Sequence, residues 1–282
     1  MQELIRPEPL QGDICESLSE ADRERLREVA KDLLRARGIV VRMTEFLGSR
    51  LEHLAGGTAL RGMAAELQAR LRGVIEQALW RGYRIATWRL DRPKGRHLGL
   101  RMKKIAASAS GAASGMIGLP GLTIDLPFTT AIMLRSIAQI ARDQGEDLAS
   151  EDTRRACIEV FTLGGLPGED SDVELSYWTA RTALNHATVS MTIQQAARLL
   201  ALTISRRMLA QAVPVAGALA GGTLNYVFTD YFQQIARVHF AVRRLERKTG
   251  DPGAVRECLR RNVEELRQAT LESPTFADGR QP

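Results

Sequence analysis

A chain of 282 residues with 44% hydrophobic content is long and apolar enough to bury a core, which excludes general disorder. A net charge of +6 favours anionic partners, and aromatics held to 5% beside abundant Ala, Leu and Arg favour helix over strand. Cys15, Cys157 and Cys258 stand far apart in no CxxC spacing, which speaks against a disulfide framework and a zinc site and suits a reducing cytoplasm.

Residues 1–18 read as a mobile tail, with Pro7, Pro9 and Gly12 and no apolar segment of signal-peptide type. Ser19 to Asp22 is a capping box that opens a helix. Leu26, Val29, Ala30, Leu33 and Leu34 give that helix one apolar stripe, and the charges from Arg23 to Arg37 form a solvated face. After Gly56 and Gly57, Leu60, Ala64, Leu67, Leu71, Val74 and Ala78 alternate at heptad spacing. This second helix is expected to fold back on the first as an antiparallel hairpin over 19–90. At its end Trp80, Tyr83 and Trp88 stand beside Arg81, Arg84 and Arg89, a mixture that fits a membrane interface or a packed groove.

A basic linker follows, in which Arg92, Lys94, Arg96, Arg101, Lys103 and Lys104 are candidate lipid-headgroup contacts. It runs into a stretch, Ile105 to Ile124, without a charge. Ala107, Gly111 and Gly115 recur at every fourth position and so share one helix face, on which another backbone can approach closely. The run turns at Gly118 to Gly121. A second uncharged stretch, Met208 to Thr229, carries Gly217, Gly221 and Gly222. The two small-residue helices are expected to touch, through Gly111, Gly115, Gly118, Gly121, Gly217, Gly221 and Gly222 as packing or membrane-contact positions. Neither is rich enough in Leu, Ile and Val for an ordinary membrane span.

Asp125 is expected to cap a helix that starts with Pro127 at its first turn, or else to belong to a paired polar site. Arg135 lies on a largely apolar helix and needs a partner if buried, with Asp125 as the candidate. Asn225 suits a bond to a neighbouring helix backbone. Asp125, Arg135 and Asn225 are therefore the candidate polar core or pocket. Gly145 reads as a helix C-cap and Ser150 as an N-cap. The acidic loop of Glu169, Asp170, Asp172 and Glu174 lacks the calcium-loop pattern, so no metal is expected. Helices follow over 177–208, from Pro214 to the basic Arg243 to Lys248 end, and from 251 to 271. The chain has no P-loop, GxSxG or HExxH motif, and His53, His97, His186 and His239 are scattered. No catalytic residue, cofactor or nucleic-acid partner is assigned.

In combination, the small-residue run, GMIGLPGLTIDLP, LRSIAQIARDQGEDL and the distant VPVAGALAGGTLNYVFTDYFQQIARVHF resemble the EcsC protein family, over roughly Val74 to Leu245. Gln144 stands before Gly145 where the family more usually has an aromatic residue. The resemblance implies a helical fold, membrane association and a bacterial role linked to transporters, with a loose peptidase label in some family names.

The expectation is an all-α chain: a compact multi-helix bundle with two central small-residue, Gly/Ala-rich helical hairpin segments. A single domain would span 19–250, with its core at 100–250, followed by a short helix and a disordered tail. Its expected role is a cytoplasmic accessory protein, peripheral to the inner face of a membrane, with anionic lipid and a membrane protein as partners. The alternative is a hydrolase acting on peptide or lipid, with Asp125, Arg135 and Asn225 in a pocket.

Overall fold

The structure, a computed structural model, describes residues 14–51, 58–86, 99–117, 119–164, 173–184, 187–210 and 217–271. Among these it is all-α. A 3-10 turn at Ile14–Ser17 leads into α1 (Glu20–Leu51), α2 (Thr58–Ala86), α3 (Leu100–Ile117), α4 (Leu119–Asp143) and α5 (Glu151–Leu163). Then come α6 (Val173–Leu184), α7 (Val189–Ala210), α8 (Gly217–Thr249) and α9 (Pro252–Leu271). The chain divides into two compact units, Met1–Asp32 with Ala241–Pro282, and Leu33–Phe240. The described residues 251–271 thus group with the N-terminal ones.

In the first unit Ser19 caps α1 as its sequence predicts. The Asp22 amide donates to the Ser19 hydroxyl at 3.3 Å, and that hydroxyl donates to the Asp22 carboxylate. Lys248 Nζ lies 2.6 Å from Asp22, and its hydrogen bond, followed by that of Ser19, holds the Asp22 carboxyl below its usual range. The core takes Leu26, Val29 and Ala30 from α1, Ala241, Val242 and Leu245 from α8, and Val255, Leu259 and Val263 from α9. Asp251 caps α9 by accepting the Ala254 amide at 2.9 Å. Cys15 and Cys258 are joined by a disulfide across 243 residues, with Cα atoms 5.3 Å apart. This corrects the expectation from spacing. Wide separation in sequence does not keep two cysteines apart once the 3-10 turn packs on α9. The cysteine pattern therefore loses its force as a sign of a reducing compartment.

In the second unit α2 packs against α7 and α4. The approach to α4 is close at Gly82, where an added Cβ would run into the Leu134 side chain. Gly164 has the same role at the end of α5, where a Cβ would lie 2.6 Å from the Phe232 ring. Phe161 and Phe232 pack at 4.9 Å between ring centroids, and Tyr231 adjoins Phe232 at 5.4 Å.

α4 begins before Asp125, with Pro120 in its first turn, and runs through Pro127. Asp125 is therefore a mid-helix residue and not a cap. At the other end Gly145 adopts φ +80°. Its amide donates to the Arg142 carbonyl at 2.9 Å and the Glu146 amide to that of Ala141 at 3.1 Å, the Schellman pattern expected of that glycine. Ser150 occupies the N-cap of α5 without a side-chain cap bond.

Candidate functional site: a polar seam between three helices

α3 lies between α4 and α8. Its buried positions, Lys103, Ala107, Gly111 and Ser114, follow the helical period and form one face. Pairings with α4 run from Ser110–Asp125 to Lys103–Gln139, and pairings with α8 from Ala107–Asn225 to Leu100–Gln233. As the α3 number falls the partner number rises, so α3 is antiparallel to both neighbours. Small residues permit the approach. A Cβ on Gly222 would lie 3.1 Å from the Ser108 carbonyl oxygen and 3.3 Å from the Ala112 Cβ. Here the two small-residue helices touch.

The centre of the seam is the Asp125 carboxylate. It accepts from the Ser110 hydroxyl, from Thr129 Oγ1 at 3.1 Å and from Asn225 Nδ2 at 2.9 Å. The same Asn225 nitrogen reaches the Ala107 carbonyl at 3.1 Å and Thr129 Oγ1 at 3.2 Å. Asp125 is 4% and Asn225 7% exposed, so these bonds replace water almost completely. Further along, Gln233 Nε2 donates to Ser136 Oγ at 3.3 Å and to the Leu100 carbonyl at 3.2 Å. Thr229 donates to the Asn225 carbonyl at 2.8 Å.

At the open end of the seam, Lys103 turns inward. Its ammonium donates to the Arg135 carbonyl at 3.1 Å and to Gln139 Oε1 at 2.6 Å. Burial, and then the nearby charges of Arg135 and Arg142, draw the Lys103 pKa down to about 8. Lys104 pairs with Asp230 at 2.9 Å and lies 5.0 Å over the Tyr226 ring. Of the candidate headgroup cations, then, Lys103 and Lys104 are engaged internally, while Arg101 is exposed. Arg92, Lys94 and Arg96 lie outside the described residues, as does Gly118. Gly111 is buried on the inner face of α3. Gly115, Gly121, Gly217 and Gly221 fall on α3, α4, α8 and α8 respectively.

Asp125 and Asn225 meet as one polar centre, and Arg135 does not join them. Arg135 falls with Phe128 and Ala131 on the exposed face of α4, about a hundred degrees per residue around the helix from the Asp125 side. Only its main-chain carbonyl enters the seam. Ser110, Thr129, Ser136, Thr229 and Gln233 were not singled out from sequence. On α8 the signal was periodic: Asn225, Thr229 and Gln233 recur at every fourth position, a polar stripe on one helix face. A second buried polar set joins α5, α6 and α8, where His239 Nε2 lies 3.7 Å from Glu159 and His239 Nδ1 3.5 Å from the Tyr177 hydroxyl. His239 is 1% exposed.

Chemically the seam is a fastener. Donors and acceptors are matched around Asp125 and Asn225, while the buried Gln233 Oε1 further along has no hydrogen-bond partner among the described residues. A small cleft of ≈ 10 Å³, room for about one water, lies elsewhere in this unit against Tyr83, Leu134, Arg154 and Cys157 and does not reach Asp125 or Asn225. Among the described residues no helix is long and apolar enough to cross a membrane.

Compared with known families, the chain matches the EcsC protein family over residues 89–245, which takes in α3 to α7 and most of α8. No curated protein and no solved structure matches it.

Proposed function

The chain belongs to the EcsC protein family, and from that premise we propose that it works at a membrane surface, as a peripheral accessory protein on the cytoplasmic face of a bilayer, serving transport or secretion. One observation carries this reading. Between residues 99 and 142 the accessible side chains include Arg101 and Arg135 but no carboxylate, because Asp125, the one acid in that stretch, is enclosed. A chain with 33 acidic residues overall leaves this stretch free of exposed negative charge, directly after a basic linker. An anionic leaflet attracts such a surface.

The hydrolase alternative has less support. It needs Asp125, Arg135 and Asn225 around a substrate, whereas Asp125 and Asn225 bond each other in a buried seam and Arg135 is exposed on α4.

The test is flotation of the full chain with phosphatidylglycerol-containing and with pure phosphatidylcholine vesicles. Binding to the anionic vesicles at low salt, weakened at high salt, is the expected result. Absence of binding to either at low salt would end the proposal.

A further inference from the structure

The outer side of α3 has a composition that the seam does not explain. Met102, Ile105 and Met116 are exposed at 49%, 46% and 74%, although large apolar side chains usually turn inward. Ala109 and Ala113 are exposed between them. These positions fall on one face, opposite Lys103, Ala107, Gly111 and Ser114. The stripe from Met102 to Met116 is about 21 Å long at the α-helical rise. The neighbouring helices also expose large rings. Phe128 on α4 is 51% exposed, and Tyr226, which Lys104 of α3 overlies, is 37% exposed on α8.

The charges around this stripe indicate what covers it. Every exposed described residue from Gly99 to Arg135 is glycine, apolar or arginine. The arginines gather at one end, because Arg101 opens α3 and the Arg135 carbonyl is held by Lys103. The nearest acid on α8, Asp230, is neutralised by Lys104. A patch with an apolar centre and a cationic end, whose nearby acids Asp230 and Asp143 are each paired with a cation, is complementary to anionic phospholipid, with acyl chains against the methionines and phosphates against the arginines.

We propose that this outer face of α3 is the part of the protein that enters the lipid. The helix lies parallel to the membrane plane, with Met102, Ile105 and Met116 below the headgroups and Arg101 and Arg135 at phosphate level. The alanines between them keep the insertion shallow. The polar seam has a part in this arrangement: by fastening the inner face of α3 to α4 and α8, it presents the outer face as a rigid edge. The inference rests on the membrane reading above and names the contact surface within it.

The experiment compares the full chain with Ile105→Gln/Met116→Gln, using vesicles of phosphatidylcholine and phosphatidylglycerol in equal proportion. Met191→Gln, at an exposed methionine of α7, is the control. Burying each large apolar side chain favours insertion enough that the double variant should bind at least about tenfold more weakly. Its helical content and melting temperature should be unchanged, since both side chains are exposed, and the control should bind like the parent. Arg101→Gln/Arg135→Gln should also bind more weakly and lose part of the salt dependence.

If the parent binds these vesicles and the α3 variant binds equally well, the inference fails and the membrane reading survives. If the parent binds no vesicle, the membrane reading itself fails. If the α3 variant changes a dimer into a monomer in sedimentation while vesicle binding stays the same, the stripe is a contact between copies, and the inference is overturned.

Discussion

Asn225 Nδ2 of α8 donates to the Asp125 carboxylate of α4 at 2.9 Å, across 100 residues of sequence and within reach of the α3 backbone. One side-chain pair thus ties three helices, and its value depends on both partners being present. Asn225→Ala would leave a buried carboxylate oxygen short of a donor, which costs about 2–4 kcal/mol. Asn225→Asp should be worse, with two carboxylates in contact. Asp125→Asn, which keeps the shape and removes the charge, should cost less than either. Urea denaturation reads these differences as a fall in the midpoint at constant slope. An Asn225→Ala midpoint equal to the parent's would show that the seam is not a fastener.

Gly222 offers a second test of the same contact. Gly222→Ala gains roughly 1 kcal/mol of helix propensity and loses a similar amount to crowding against Ser108 and Ala112, so it should be close to neutral. Gly222→Leu has no room against the Ser108 carbonyl and should cost about 3 kcal/mol. Thermal melts of the two variants should separate clearly. Equal tolerance of alanine and leucine would mean that α3 and α8 are not in close contact.

Lys103 predicts a pH dependence. Its folded pKa, about 8, lies below the ordinary 10.5 because the buried site penalises the ammonium. Between those values the unfolded chain holds a proton that the folded chain has released, so stability rises with pH across that window. Below about pH 8 the cost of the buried charge is present in full, on the order of 1–3 kcal/mol after allowance for solvent screening. Lys103→Met should abolish the alkaline rise. Melting temperatures of parent and variant measured across pH 8 to 10.5 check this, and parallel curves would contradict it.

The Cys15–Cys258 disulfide should make the first unit sensitive to reductant. Closing so long a loop contributes about 2–5 kcal/mol. Reduction should therefore lower the melting transition of that unit. Cys258→Ser should melt at the reduced position whether or not reductant is present. Mass mapping of the oxidised protein should recover the Cys15 peptide linked to the Cys258 peptide, with Cys157 outside that link.

The helical class, the Ser19 cap and the Gly145 terminus were legible from sequence because each is a matter of residues within one or two turns of each other. Periodicity, a cap side chain and a left-handed glycine act locally, and the chain carries them wherever it folds. Contact between the small-residue helices was legible for a related reason. A missing side chain invites a neighbour, and Gly222 against Ser108 is that neighbour met.

Which distant groups meet was not legible. Arg135 faces outward, α2 turns to α7 and α4, Lys103 points inward, and Cys15 reaches Cys258. Each of these depends on which helix face is opposed to which, and that is decided by the collective fit of faces far apart in sequence. The sequence by itself determined the helices and their apolar and small-residue faces. Only the tertiary structure decided the partners, because burial matches a polar group to whatever donor or acceptor packing brings within reach, however far away it stands in the chain.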